Sequence, residues 1–205
     1  VNVSQEINKE MEDQYRDKYR IAPARLTNWD YGADGMYFVT ICTKERMRYF
    51  GEIEPADIVG VQNIPEKRGI ETRSIASLRM TEIGKIAHDN FERIPTFHPY
   101  ADVDEFVVMP DHVHGILFIN KPDKKDWETN KFGSQSKNLA SIIRGYKSSV
   151  TTFATLNNIE FLWQPRYYDR VIRSEKEYLN IKGYIKDNPD QWYRNGNDFE
   201  NLFKP

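Results

Sequence analysis

The sequence predicts an α+β fold built on a mostly antiparallel sheet, and three observations lead there. Segments of strand and helix character follow one another as β, α, ββ, α, β, α, without the regular alternation that a parallel sheet needs. Two strand-like runs, 103–109 and 112–119, are separated only by Pro110 and Asp111, a turn short enough to fold them into an antiparallel hairpin. The 205 residues include 11 Phe, 12 Tyr and 4 Trp, enough to supply a sizeable core and to exclude a wholly disordered chain.

Each element has its own signal. Residues 4–20 place Ile7, Met11, Tyr15 and Tyr19 at steps of four with charges between them. That is one narrow apolar stripe on a helix that Ser4 caps, so an N-terminal helical extension is expected over 1–30, packed on the edge of a body that begins later. The stretch from Asp30 to Gly35 is turn chemistry, and 37–43 (YFVTICT) is a β-branched and aromatic strand. Residues 54–78 contain Pro and Gly without a sustained period and are expected to form a loop or hairpin excursion. Ile83, Ile86, Ala87 and Phe91 mark a helix over 81–93, which Pro95 should stop. After the hairpin, 121–137 is rich in Lys, Asp, Gly and Ser, as a mobile loop would be. Leu139, Ile142, Ile143, Tyr146 and Val150 define a helix over 138–156, and 161–171 is extended. A last helix over 174–187 opens on Ser-Glu-Lys-Glu, the form of a capping box. The main domain is placed at 31–192, with a tail over 193–205.

Composition narrows the function. Lys and Arg number 29 against 31 Asp and Glu, a net charge of −2, so contact with phosphate requires a local patch. The one cysteine, Cys42, excludes an intramolecular disulfide or a multi-cysteine zinc site and reads as a buried, inert thiol in a strand. No apolar run approaches the roughly 20 residues of a membrane-spanning helix. The first residues lack the basic and apolar regions of a signal peptide, so a cytoplasmic protein without a membrane partner is expected. P-loop, dinucleotide-fingerprint and nucleophile-elbow motifs are missing, which disfavours nucleotide hydrolases and α/β-hydrolases.

Three stretches carry chemistry. In Met109-Pro-Asp-His-Val-His-Gly, His112 and His114 stand two apart on a strand, project from one face and can together chelate a divalent cation. The plainer alternative is two polar rings tolerated at a strand end. In the last helix Tyr184 and Asn188 are neighbours one turn apart. Tyr184 is either an ordinary half-buried aromatic or a nucleophile beside a metal ligand, attacking phosphorus to conserve bond energy for re-ligation. Cationic Lys182 or Lys186 would then lower its pKa. Between residues 138 and 186 eight basic residues face four acidic ones, so this part is basic while the remainder is acidic. Arg144, Lys147, Arg166, Arg170, Arg173 and Lys182 are interleaved there with Tyr167 and Tyr168. Rings among cations suit a single nucleic-acid strand. A routine solvated surface is the alternative.

The blocks VVMPDHVHGILFI, SIIRGYKSSVTTF and WQPRYYDRVIRSEKEYLNIKGYIKDNP resemble, in that order, the REP-associated tyrosine transposases of the HUH superfamily of single-strand DNA nucleases. The resemblance runs from about Tyr37 to Trp192. It implies a ferredoxin-like sheet with helices packed on one face, and His112 and His114 holding Mg²⁺ or Mn²⁺. It further implies Tyr184 as nucleophile and Asn188 as a third, amide ligand. The implied activity is metal-dependent cleavage and rejoining of single-stranded DNA near hairpins, through a 5′-phosphotyrosine, by a monomer or homodimer. A DNA-binding protein descended from such an enzyme that no longer cuts is the alternative, and a metal phosphoesterase using water is a third reading.

Overall fold

A computed structural model describes residues 14–15, 18–19, 29–55, 76–121, 126 and 136–195. At the N-terminus β1 (Gln14–Tyr15) and β2 (Lys18–Tyr19) pair antiparallel. This corrects the helix expected there at Gln14–Tyr15 and Lys18–Tyr19: a short amphipathic helix persists only when a body buries its stripe. The rest of 1–28, the centre of the 54–78 excursion, nearly all of 121–137 and the tail beyond 195 lie outside the described residues.

The main sheet has four strands: β3 (Gly35–Cys42), β6 (Ala101–Met109), β7 (His112–Ile119) and β8 (Tyr168–Ile172). They lie in the order β6-β7-β3-β8, every neighbouring pair antiparallel. The helix α1 (Glu82–Glu92) connects β3 to β6 and α3 (Leu139–Leu156) connects β7 to β8. This is the expected ferredoxin-like βαββαβ unit. Between β3 and α1 the 54–78 segment begins and ends in a hairpin, β4 (Gly51–Pro55) with β5 (Ala76–Met80).

Strand alternation gives the sheet two different faces. Tyr37, Val39 and Ile41 of β3 and Val113 and Leu117 of β7 meet Ile83, Ala87 and Phe91 of α1 and Leu139, Ile142, Tyr146 and Val150 of α3. The Tyr146 hydroxyl donates to Ala87 O at 3.0 Å and ties these helices together. Both crossover helices thus share one face, as expected. The opposite face carries Phe38, Ile116 and Ile172, and Ile181 and Ile185 of α4 (Glu175–Asn195) cover it.

Caps set the helix starts. Thr81 accepts from Gly84 N at 3.1 Å to open α1, and Asn138 and Ser141 form a reciprocal capping box at α3. At α4 Ser174 Oγ accepts from Glu177 N at 3.2 Å, but the Glu177 carboxylate reaches one residue further back, to Arg173 N at 3.0 Å. Two helix ends differ from expectation, both at proline. Pro95 does not simply stop α1; it sits in the first turn of a short helix, α2 (Ile94–Phe97), where a missing N–H costs nothing. Pro189 lies inside α4, which continues to Asn195 rather than ending at 187.

Two glycines show where space is tight and where it is not. A Cβ on Gly84 would stand 2.1 Å from the backbone oxygen of Phe50, whereas one on Gly183 in α4 would meet nothing within 4 Å. Gly84→Ala should therefore cost about 1–3 kcal/mol through forced displacement of α1. Gly183→Ala should raise stability by about 0.5–1 kcal/mol, because helix interiors favour Ala over Gly. Urea unfolding of both variants checks the contrast.

Candidate active site

The even-numbered side of β7 brings His112 and His114 under α4, where both are almost fully buried, at 1% and 0% exposure. Their Nε2 atoms are 2.9 Å apart. Each Nδ1 has its own partner: Asp111 Oδ1 at 2.6 Å for His112 and the Thr40 hydroxyl at 2.9 Å for His114. Thr40 is the cross-strand neighbour of His114 on β3, so the sheet register supplies that partner. Burial holds both imidazoles well below their ordinary pKa, reinforced at His112 by the positive charge of Arg46 and at His114 by its neighbour His112 and then by Arg46, so both are neutral at pH 7.

Above them α4 presents Tyr184, Asn188 and Trp192 at successive turns. Tyr184 Oη lies 3.2 Å from His114 Nε2. Asn188 is buried and hydrogen-bonds Tyr184. Trp192 lies over His112 with ring centroids 5.9 Å apart, and the Arg48 guanidinium lies over the Trp192 ring, 5.6 Å from its centroid. Beneath this layer Phe38 packs against His114 at 5.3 Å, Tyr168 at 6.3 Å and Tyr184 at 6.5 Å. The structure therefore brings together four residues that the sequence singled out, His112, His114, Tyr184 and Asn188, with Tyr168 adjoining.

Burial raises the Tyr184 phenol above its ordinary value, with the Asn188 hydrogen bond and the Arg46 charge acting in the opposite direction. Lys182 and Lys186 do not play that part. Lys182 Nζ is 2.8 Å from Asp104 Oδ1 and 3.0 Å from the Tyr178 hydroxyl, and Lys186 pairs with Glu105 at 3.2 Å.

The other basic residues are dispersed. Arg170 Nε is 2.5 Å from Glu177 Oε1, and Arg173 lies over Trp29 at 5.5 Å. Arg144 and Lys147 belong to α3, on the far side of the sheet from the histidines. The Lys147 ammonium donates to Gln164 O at 2.6 Å and Arg166 O at 2.8 Å, and burial pushes its pKa down to about 8. Arg166 is exposed and has a left-handed backbone, φ 67°. Tyr167 packs against the α1/α3 core, while Tyr168 faces the histidines.

Sequence reasoning missed Asp111, Arg46, Thr40 and Trp192. In the sequence Asp111 reads only as a turn residue, although its place beside His112 is a usable signal. Cys42 is half-buried rather than fully buried; burial raises its thiol pKa, and Sγ accepts from Arg46 Nη1 at 2.9 Å. Among the described residues no group of three or more His, Cys, Asp or Glu is placed to hold a metal ion. No described helix is long and apolar enough to cross a membrane.

No protein-family model matches the chain. An uncharacterized protein of Haemophilus influenzae is 33% identical over 177 residues, covering 82% of this chain and 87% of that protein. The REP-associated tyrosine transposase of Escherichia coli K12 is 30% identical over 88 residues, 43% of this chain and 44% of the transposase. A solved REP-associated tyrosine transposase bound to a REP hairpin has the same fold, with a TM-score of 0.50, 17% identity and coverage of 83% of this chain and 74% of that one. The chain therefore belongs to one family with the Haemophilus influenzae protein, and it resembles the REP-associated tyrosine transposases both in sequence, over the matched 88 residues, and in fold.

Proposed function

We propose that the protein is a metal-dependent single-strand DNA endonuclease and strand transferase that cuts near hairpins, with Tyr184 as the nucleophile. The observation that carries this reading is the convergence of His112 Nε2, His114 Nε2 and the Tyr184 hydroxyl within hydrogen-bonding distance, at 2.9 and 3.2 Å. A protein that only binds DNA has no use for a tyrosine hydroxyl lodged against two buried, neutral imidazoles.

The donor set fits a divalent cation. Two ligands each about 2.1 Å from one ion at a right angle are about 3.0 Å apart, and the histidine nitrogens are 2.9 Å apart. Both Nδ1 atoms have partners on the far side of the rings, so Nε2 is the nitrogen that each ring would turn to a cation. His112 and His114 would hold Mg²⁺ or Mn²⁺, with the Asn188 amide oxygen as a weaker third ligand; imidazole suits Mn²⁺ at least as well as Mg²⁺. When bound, such an ion neutralises charge on a phosphate and polarises it for attack.

The residues of the chain do the rest. Tyr184 Oη forms a bond to phosphorus as the bond to the 3′ oxygen breaks, giving a 5′-phosphotyrosine. The departing 3′ oxygen takes up a proton, and the phenol loses its own. Return attack by a 3′-hydroxyl reseals the strand and restores the phenol. Asn188 orients the phenol, and Phe38 fixes the ring from below. The solved hairpin complex of the similar transposase supports hairpin DNA as the partner. Arg166, Arg170, Arg173, Tyr167 and Tyr168, together with Arg144, Lys147 and Lys182, are the proposed contacts, some of them freed from present partners when DNA binds.

Incubation with Mn²⁺ and a hairpin oligonucleotide carrying a suicide nick should give a covalent protein–DNA adduct on a denaturing gel. Tyr184→Phe removes one oxygen and should abolish the adduct while leaving hairpin binding within about twofold. Cleavage without an adduct would mean that water is the nucleophile, and binding without cleavage would mean a protein that no longer cuts.

Because the folded phenol titrates above its ordinary value of 10.0, it is protonated at neutral pH. Adduct formation should therefore accelerate with pH, about tenfold per unit while the phenolate is the minor form. A flat single-turnover profile between pH 6 and 9 would contradict phenolate attack.

Hairpin affinity should fall steeply with salt as phosphate contacts release counterions. Arg166→Glu should weaken binding and flatten the salt slope while leaving Mn²⁺ uptake unchanged, as titrations at several salt concentrations would show.

A further inference from the structure

We propose that Asp111, held by Arg46, is the positioning residue that fixes His112 in the tautomer a cation requires; this rests on reading His112 and His114 as metal ligands. The two carboxylate oxygens of Asp111 are divided between two partners. Oδ1 lies 2.6 Å from His112 Nδ1, and Oδ2 lies 3.0 Å from Arg46 Nε. The Asp111 backbone is tied as well, its carbonyl accepting from Thr43 N and from Thr43 Oγ1, both at 2.9 Å. The carboxylate is therefore held from both ends.

Arg46 reaches it from an unusual backbone. Glu45 and Arg46 both have left-handed conformations, φ 54° and 57°, in the short turn after β3. Such conformations are unfavourable for residues other than glycine and persist where surrounding structure over-determines them. Here the turn folds Arg46 back over the β3–β7 pair, where Nη1 also meets Cys42 Sγ at 2.9 Å. Cys42 is the cross-strand partner of His112, so both Arg46 contacts flank that histidine.

The chemistry of the acceptor decides the tautomer. An ionised carboxylate only accepts hydrogen bonds, so His112 Nδ1 must carry the ring proton and Nε2 is left bare. His114 differs, because its Nδ1 partner is the Thr40 hydroxyl, which can either donate or accept. His112 is thus the pre-set ligand and His114 the adaptable one.

Asp111→Asn preserves shape and tests the idea. Arg46 offers only donors, so the new carbonyl turns towards it and the amide NH₂ faces His112 Nδ1. That moves the ring proton to Nε2. Nitrogen-15 NMR of the metal-free protein should show His112 as the Nδ1–H tautomer, and the variant should show Nε2–H. Calorimetric Mn²⁺ affinity should fall roughly 10- to 100-fold. Arg46→Gln should shift affinity in the same direction, and the double variant should lose no more than Asp111→Asn alone.

Unchanged tautomer and affinity in Asp111→Asn would overturn the proposal, as would full additivity of the two substitutions. If the unsubstituted protein takes up no Mn²⁺, the metal reading fails instead, and the tautomer spectra still decide whether Asp111 orients His112.

Discussion

Two imidazoles are buried side by side with their Nε2 atoms 2.9 Å apart, and much of the structure answers to that constraint. Desolvation allows neither to be charged, and a buried polar nitrogen without a partner is costly. Each Nδ1 must therefore be met, and the two partners come from different places: Asp111 from the hairpin turn and Thr40 from β3. This pins the strand register. A slip of one residue between β3 and β7 would move a histidine away from Thr40 and exchange polar and apolar side chains between the two faces. The short Pro110-Asp111 turn, the Thr43 bonds to Asp111 O and the apolar packing under α1 and α3 all hold that register.

The roof over the histidines is also the carrier of the proposed nucleophile. Ile181 and Ile185, one turn apart, are the buried anchors of α4, at 5% and 0% exposure. Tyr184 precedes Ile185 by one residue, about 100° around the helix. It therefore lies on the shoulder between the buried stripe and solvent, where its hydroxyl touches His114 from inside while the ring stays partly exposed outside. Asn188 and Trp192 continue that shoulder, and Trp192 reaches His112 only because α4 runs through Pro189.

What the sequence disclosed was whatever repeats with a short period. The pleat placed His112 and His114 on one face, and the helical step of four placed Tyr184 beside Asn188. The capping form Ser-Glu-Lys-Glu marked the start of α4, whereas Thr81 and Asn138, read as helix residues, prove to be the caps that precede α1 and α3. Contacts between distant segments had no such signal. Arg46 is 65 residues from Asp111, and its approach depends on two left-handed residues that no glycine advertises. Trp192 lies beyond the helix expected over 174–187, since α4 runs on through Pro189 to Asn195; proline forfeits one hydrogen bond without ending the helix. At Tyr15 and Tyr19 the helical spacing misled for the converse reason, since periodicity shows what a helix would bury but not whether a surface receives it.

Charge counting has the same limit in three dimensions. The basic stretch between residues 138 and 186 is continuous in sequence, yet the fold distributes it over both sides of the sheet. Arg144 and Lys147 go with α3, while Arg170 and Tyr168 stand on β8 near the histidine face. The two groups meet at the β8 edge, where Lys147 holds the carbonyls of Gln164 and Arg166 and so fixes the segment that turns the corner. A nucleic-acid strand touching both groups must bend round that edge. Single strands and hairpin loops bend at little cost, whereas a duplex, with a persistence length of about 150 base pairs, does not. If the proposed DNA contacts are made by both groups, flexible DNA would be favoured by the strand order of the sheet rather than by the number of charges.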